Sequence, residues 1–210
     1  MGFLRHLVRE GANVEYCPRC GTKLVKKLEG GRDRPACPTE GCGFFFFGDY
    51  SIGCGAVVLR DGKALLIQRG INPGRGSWQI PGGYVEADEA IHSAVEREVL
   101  EEAGVEAKVV DVVGFRHAAG RTDRPNANIY VVFRLSPVSG EPRFDGEETL
   151  GAGYYSLDEL SRMERVQSLS LWAIRLALVT PLRSGLAQHP NSPGLTFTGW
   201  SLFGLGLPHA

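Results

Sequence analysis

The apolar positions of this chain follow two spacings, and each predicts its own elements. Ser51 to Leu59 and Ala64 to Gln68 read as strands, and Asp61-Gly62 between them is a two-residue hairpin signal. Ala107 to Phe115 and Asn128 to Leu135 run or alternate apolar as further strands, separated by the polar stretch Arg116 to Ala127. Pro73-Gly74-Arg75-Gly76 is a loop leading to Trp78-Gln79-Ile80. Asp88 to Ala103 has helical spacing, with Gly104 placed as its C-terminal cap. Gly153-Tyr154-Tyr155 is a short strand, and Ser156-Leu157-Asp158-Glu159 is a capping box opening a helix. Val166 to Thr180 is a long apolar helix expected to pack on the sheet. From Pro181 periodicity is lost and Pro, Gly and Ser increase, which predicts a flexible tail over 181–210. Within it Phe197, Trp200, Leu202 and Phe203 are the residues able to dock.

On the wheel of the first helix Ile91, Val95 and Val99 make one apolar stripe. Glu98 and Glu102 lie along the same side, with Glu101 at its edge. Three carboxylates therefore face a half-buried surface. Burying them bare is costly, and packing them together raises their pKa values. A hard divalent cation resolves both problems, because Mg²⁺ prefers oxygen ligands and keeps waters for a phosphate substrate. The competing reading of three Glu is a solvated acidic helix with ordinary i,i+4 pairs.

The full spacing decides between them. Pro81-Gly82-Gly83 precedes the helix, Glu89 follows, and Arg97-Glu98-Val99-Leu100-Glu101-Glu102-Ala103-Gly104-Val105 closes the motif. This stretch resembles the Nudix box at every fixed position. The resemblance implies an α/β/α sandwich and hydrolysis, with Mg²⁺ or Mn²⁺, of a nucleoside diphosphate linked to another moiety. It implies Glu98, Glu101 and Glu102 as metal-binding and catalytic acids, with Arg97 holding a glutamate by a charge-assisted hydrogen bond. It also implies that Glu89 supports the loop–helix junction and that the Gly82 carbonyl faces a metal. Glu101 and Glu102 both remain open as the group that takes the proton of the attacking water. Many relatives add a glutamate from a later loop, for which Glu147 and Glu148 are the candidates here; the alternative for both is a charged surface turn.

Substrate residues are less sharply marked. Arg69 ends a strand and is placed to meet phosphate or to make a surface salt bridge. Trp78, Phe115 and Tyr130 are candidates to stack a base or flavin ring, with core packing as the alternative. Arg116 and His117 are candidates for a second phosphate or metal, or for a plain loop surface. The Ser-Gln-Pro-Trp-Pro-Phe-Pro string of NADH pyrophosphatases is missing from 106–127, and Gly120 stands where many ADP-ribose hydrolases carry proline. The expected substrate is a dinucleotide, with FAD, NADH and ADP-ribose as the short list.

Cysteines mark a second module. Cys17-Pro18-Arg19-Cys20 is followed by Cys37-Pro38-Thr39-Glu40-Gly41-Cys42, and a glycine follows each pair. Two such knuckles suit a tetrahedral, structural Zn²⁺ with no open position. Disulfides and a redox dithiol are the alternatives. Cys54 reads as a small buried strand residue. A zinc ribbon ahead of this box resembles the NADH pyrophosphatase type and related enzymes, some acting on FAD. The expected organisation is a leader over 1–13, a ribbon over 14–47, the hydrolase domain over 48–180 and the tail. Phe44-Phe45-Phe46-Phe47 joins the two modules and is expected to be packed in part.

With 210 residues, 43% hydrophobic, the chain suffices for one ordinary domain and a small accessory unit. A net charge of −1 implies no strong attraction to nucleic acid or membrane. No apolar run spans a bilayer. Met1 to His6 shows neither a secretory segment nor a myristoylation pattern, so a cytoplasmic protein is expected. The stretch between the knuckles is basic at Lys23, Lys26, Lys27, Arg32 and Arg34 but lacks aromatics, so nucleic acid is not the expected partner. A homodimer is a further expectation, because paired domains are common among zinc-ribbon relatives. Two alternatives from other classes are a nucleotide-sensing regulator and an RNA-end (cap) hydrolase whose ribbon binds the transcript.

Overall fold

The computed structural model describes residues 14–120, 126–189 and 202–205, and it divides into two compact units. The leader expected over 1–13 and the docking candidates Phe197 and Trp200 lie outside the described residues.

The first unit takes in the described parts of 1–51 and 117–128. Here β1 (Val25–Glu29) and β2 (Arg32–Ala36) form an antiparallel hairpin, Val25 opposite Ala36 and Glu29 opposite Arg32. Phe45 bridges Ala36, and the Phe46 amide donates to the Pro35 carbonyl at 2.8 Å. The aromatic run therefore lies along β2. Phe47 is 58% exposed, with the Arg34 guanidinium 4.7 Å from its ring centre. Long-range strand pairing supplies aromatics beside the basic strands, which the linear stretch between the knuckles did not contain.

The second unit covers the described parts of 52–116 and 129–210. Strands β3 (Tyr50–Arg60) and β4 (Lys63–Arg69) make the expected hairpin, Leu59 opposite Ala64 and Arg60 opposite Lys63. Beyond the turn they part. β5 (Trp78–Gln79) takes the vacated edge of β4, with Gln79 opposite Ile67. The amides of Cys54 and Ala56 donate, each at 2.9 Å, to the carbonyls of Gly83 and Pro81. The segment 78–84 is therefore inserted between two diverging strands. Ser170 Oγ accepts from the Ile80 amide at 3.1 Å and Gln167 donates to Gln79 at 2.6 Å, which anchor it from the far side.

The helix α1 (Ile91–Ala103) starts three residues later than its spacing predicts, after an extended Ala90. Glu89 is the reason: its carboxylate accepts from the Glu86 amide and from Arg97, which holds the lead-in as a turn. Gly104 caps the helix as expected, with φ 66° and its amide on Leu100 O. The sheet continues with β6 (Glu106–Ala118), β7 (Ala127–Ser139) and β8 (Thr149–Tyr155), the last paired along β4 from Ala64 to Arg69. The polar stretch expected as a loop from Arg116 is thus strand as far as Ala118, because ladder pairing overrides its polarity. The capping box at Ser156 and Glu159 is formed and opens α2 (Leu157–Arg162). The last helix among the described residues, α3 (Ser168–Val179), begins after Val166 and Gln167, which are spent pairing with Trp78.

Both sheet faces are covered. Ala94, Val95, Val99 and Ala103 of α1 pack with Cys54, Ala56, Val58, Leu65, Ile67 and Phe133. Leu160, Ala173, Ile174 and Ala177 of α2 and α3 pack with Val57, Leu66 and Val132 on the opposite face. Each large aliphatic so buried contributes about 1.5–3 kcal/mol. The alternation read from the sequence is what divides β3 and β4 between the two clusters.

The tail is corrected in part. β9 (Leu186–His189) places Leu186 opposite Val112, and β10 (Leu202–Leu205) pairs with β9. Phe203 sets its ring edge-on to Phe133 at 5.6 Å. Pairing at a sheet edge, rather than a hydrophobic pattern, makes these strands. The whole sheet runs β10-β9-β6-β7-β3-β4-β5, with β8 on β4.

One buried ion pair fixes the end of α3. Arg134, 2% exposed, meets the fully buried Asp111 through two bonds of 2.9 and 2.6 Å. Its remaining N–H groups donate to the carbonyls of Ala177, Thr180 and Pro181. Asp111 also accepts from the Gly185 amide at 3.2 Å. Every donor of the guanidinium is therefore used, which offsets its desolvation. Replacing either partner alone, Arg134→Ala or Asp111→Ala, is expected to cost about 3–5 kcal/mol in urea denaturation, because it strands a buried charge. The double variant Arg134→Leu with Asp111→Leu is expected to cost less than the two single losses together.

Candidate functional site

The inserted segment 78–84 delivers Gly82 and Gly83 to the face of α1. Neither position has room for a side chain. A Cβ on Gly83 would lie 2.5 Å from Glu98 Oε1, and one on Gly82 would overlap the Cys54 carbonyl. The Gly82 amide donates to Glu102 Oε2 at 2.7 Å. The glycine pair thus brings backbone within reach of two carboxylates, as the spacing of the motif requires.

Arg97 organises the acids around it. It donates to both oxygens of Glu89 (3.2 and 2.8 Å), to Glu98 Oε1 at 3.0 Å and to Glu101 Oε2 at 2.9 Å. A longer contact of 3.4 Å reaches the Tyr84 carbonyl. The burials differ in a way that matters: the side chain of Glu98 is 15% exposed and that of Glu101 59%. Burial pushes the Glu98 carboxyl up, opposed by Arg97. Glu102 rises further, to about 7; burial dominates, the Gly82 amide opposes it, and Glu98 adds repulsion. Glu89 goes the other way, held down by its bonds to Arg97.

Other candidates fall at different distances from this cluster. Arg69 lowers and Glu148 raises the Glu102 carboxyl through space, so both act on it electrostatically. Arg69 is also bonded to the Pro73 carbonyl at 3.0 Å. Glu148 is brought in by its own carbonyl, which accepts from the Gly70 amide at 2.6 Å. The loop is shaped by Asp145, a residue the sequence reading passed over: its Oδ1 accepts from the amides of Glu147 and Thr149, both at 2.9 Å. An Asp-x-x-x-Thr spacing was the available signal.

Tyr130 lies across Gly53 and Gly55, where any Cβ would collide with its ring, and its hydroxyl reaches toward Gly82. Arg116 stands over the ring at 5.6 Å. The ring is therefore covered, and the hydroxyl is the part directed at the glycine turn. Trp78 is set edge-on to Tyr155 at 5.3 Å in the cluster of α2 and α3, away from the α1 side of the sheet. Phe115 is exposed on β6. The structure does not join Trp78 and Phe115 to the carboxylates. His117 is exposed in the other unit. Cys54 is buried under Gly83, and burial pushes its thiol up to about 12, as befits a small strand residue.

In the first unit Cys17, Cys20, Cys37 and Cys42 converge, all four sulfurs lying within 4.8 Å of one another. Individual separations are 3.6 Å (Cys17–Cys42), 3.5 Å (Cys20–Cys37) and 3.9 Å (Cys20–Cys42). Tetrahedral thiolates about 2.3 Å from one zinc would stand about 3.8 Å apart, so the set fits a metal and is too open for disulfides. Hydrogen bonds from Thr22 lower the Cys20 thiol to about 6, favouring the thiolate a metal needs.

Comparison with known proteins adds a family, two relatives and two solved structures. The family described as NUDIX domain matches residues 49–173. An ADP-ribose pyrophosphatase of Methanocaldococcus jannaschii is 35% identical over 107 residues, 51% of this chain and 62% of that protein. A NAD-capped RNA hydrolase, NudC, of Yersinia enterocolitica is 28% identical over 145 residues, 69% of this chain and 52% of that one. The matched region thus spans only about half to three fifths of these two relatives. Among solved structures, a NUDIX hydrolase from Nitrosomonas europaea shares the fold with a TM-score of 0.62 at 22% identity, covering 78% of this chain and 90% of that one. A MutT NUDIX hydrolase from Burkholderia pseudomallei gives 0.54 at 30% identity over 63% of this chain and 99% of that one.

The half-buried Glu102 yields a signed prediction for protein held in chelator. Its folded pKa lies above the unfolded one, so its contribution favours folding at low pH and is lost as pH rises through about 7. Glu102→Gln is therefore expected to be more stable than the parent at pH 8, by about 1–3 kcal/mol, with the gain shrinking toward pH 5. Thermal melts of both proteins across that range measure it.

Proposed function

Because the chain belongs to the NUDIX family of hydrolases, we propose that it cleaves, with Mg²⁺ or Mn²⁺, the pyrophosphate bond of a nucleoside diphosphate linked to another moiety. The observation that carries this reading is the pair of half-buried carboxylates, Glu98 and Glu102, against Gly82 and Gly83. Their desolvation is unfavourable in the protein alone and becomes favourable beside a cation. Glu98, Glu101, Glu102 and the Gly82 carbonyl would hold that metal. When bound, it supplies charge neutralisation for the phosphates and a more acidic water.

The chain's own residues do the positioning. Arg97 fixes Glu98 and Glu101 from one side, and the Gly82 amide fixes one oxygen of Glu102, leaving the other to accept. Glu102, with its pKa near neutrality, or the exposed Glu101 would take a proton from water. Arg69 would meet a substrate phosphate, and Glu147 or Glu148 would add a later carboxylate. The Tyr130 hydroxyl, beside the glycine turn with Arg116 behind the ring, would contact substrate through its oxygen rather than its face. Trp78, packed in the cluster of α2 and α3, would not stack a base on the carboxylate side, whereas the exposed Phe115 stays a candidate.

Likeness to an ADP-ribose pyrophosphatase and to a NAD-capped RNA hydrolase favours a substrate with an ADP half, from the short list of ADP-ribose, NADH and FAD. The four cysteines would hold a structural Zn²⁺ in a ribbon over 14–47, ahead of a catalytic domain over 48–180, in the manner of the zinc-ribbon subgroup. A second reading, hydrolysis of a capped RNA end, is supported by Phe47 lying exposed under Arg34 beside a basic hairpin.

A panel of FAD, NADH, NAD, ADP-ribose, diadenosine polyphosphate, a nucleoside triphosphate and capped RNA with Mg²⁺ tests the reaction. AMP released from one dinucleotide far above the rest is expected; no turnover with either Mg²⁺ or Mn²⁺ would favour a nucleotide sensor. Glu102→Gln is expected to lower turnover about 10²–10⁴-fold while the melting temperature with chelator does not fall. Elemental analysis of fresh protein is expected to find zinc equimolar with chain, and Cys37→Ser to lose it. Salt-sensitive RNA binding that disappears with Arg34→Ala would support the second reading.

A further inference from the structure

A cavity of about 670 Å³ opens on the sheet face opposite α1. Its apolar walls are Trp78, Tyr155 and Met163, all members of the cluster built on α2 and α3. It is therefore separate from the carboxylates of α1, and the catalytic reading gives it no role. Its volume falls within the roughly 300–1,000 Å³ typical of small-molecule sites.

The polar part of the lining is cationic. Arg162 and Arg165 edge the cavity, and neither side chain has a hydrogen-bond or ion-pair partner among the described residues. Two carboxylates also line it, but Glu159 is bonded to Lys63 at 3.3 Å and to the Ser156 amide at 2.7 Å. That leaves two guanidiniums against Glu164 alone, a net positive edge beside an aromatic wall.

Arg165 is held there at a cost. It adopts φ 61°, a left-handed conformation that non-glycine residues rarely take. Its carbonyl accepts from the Trp78 amide at 3.0 Å, and two residues later the Gln167 amide donates back to the Trp78 carbonyl at 2.9 Å. These two bonds clamp the strained residue onto β5. Its guanidinium rests against Gly76, where a Cβ would lie 3.0 Å from Nη1. A strained backbone, a clamp and an open glycine together set one cation at the mouth of an aromatic cavity.

We propose that this cavity is a second ligand site, for a planar aromatic ring carrying a phosphate, the chemistry of a nucleoside monophosphate. The ring packs on Trp78, Tyr155 and Met163, and Arg162 and Arg165 take the phosphate. The site needs no divalent cation, which separates it from the carboxylate cluster, where an anion without metal is repelled.

Calorimetric titration of the protein with AMP in excess EDTA tests the proposal. Arg165→Gly is the decisive variant: glycine suits the left-handed backbone, so the fold is kept while the cation is lost. Arg162→Ala is an exposed second variant. AMP is expected to bind, about tenfold more weakly in each variant at an unchanged melting temperature, and adenosine and inorganic phosphate each at least about tenfold more weakly than AMP. No AMP binding in EDTA, equal binding by both folded variants, or adenosine binding as tightly as AMP would overturn it. These outcomes do not depend on turnover, so they stand or fall apart from the hydrolase reading.

Discussion

The guanidinium of Arg97 serves three carboxylates at once: Glu89 in the lead-in turn, and Glu98 and Glu101 on its own helix. Five fixed donors in a plane make that possible; a lysine would offer one point charge and no fork. Through Glu89 it sets where α1 begins, and through Glu98 it sets the rotamer of an acid pressed against Gly83. The cluster is nonetheless incomplete as a charge balance. Glu102 sits beyond its reach, bonded to a single amide, and burial, with repulsion from Glu98 added, holds its pKa near neutrality. A site deficient by one cation, beside a backbone turn, is what a metal-dependent phosphate chemistry needs.

Placing that cluster required the sheet to open. Strands β3 and β4 pair only beside their turn, and the segment 78–84 fills the gap beyond it. Gly53 and Gly55 make room for Tyr130, and Gly82 and Gly83 make room for β3 and for Glu98. These contacts leave little slack, because backbone meets backbone or ring without an intervening side chain. The same insertion has two faces. One presents the glycine turn to α1; the other clamps Trp78 to Arg165 and walls the second cavity.

Arg134 and Asp111 play a different part. Theirs is a closed ion pair, with every guanidinium donor used inside the fold. It ties β6 and β7 to the end of α3 and to the chain that follows. Contrast with Arg97 is instructive: a saturated buried pair specifies architecture, while a partly exposed and unbalanced one leaves capacity for a ligand.

The sequence alone determined the helix of the box, its glycine cap, the 61–62 hairpin, the capping box at Ser156 and the convergence of four cysteines. Each of these is a local signal, written in spacings of three, four or two residues or in turn chemistry, and local signals are readable without neighbours. It also placed Glu98 and Glu102 on one side of α1, with Glu101 at its edge. Tertiary structure decided what depends on distant partners. It started α1 three residues later than its spacing predicts, since Glu89 is held by Arg97 across a turn. It drew strands from 186–189 and 202–205, where sheet edges rather than alternation supply the order. It turned Tyr130 from a free face into a covered ring, sent Trp78 to the opposite side of the sheet, and paired Asp111 with Arg134. In every such case the deciding energy is a hydrogen bond or a burial between residues far apart in the chain, and no window along the sequence contains both members.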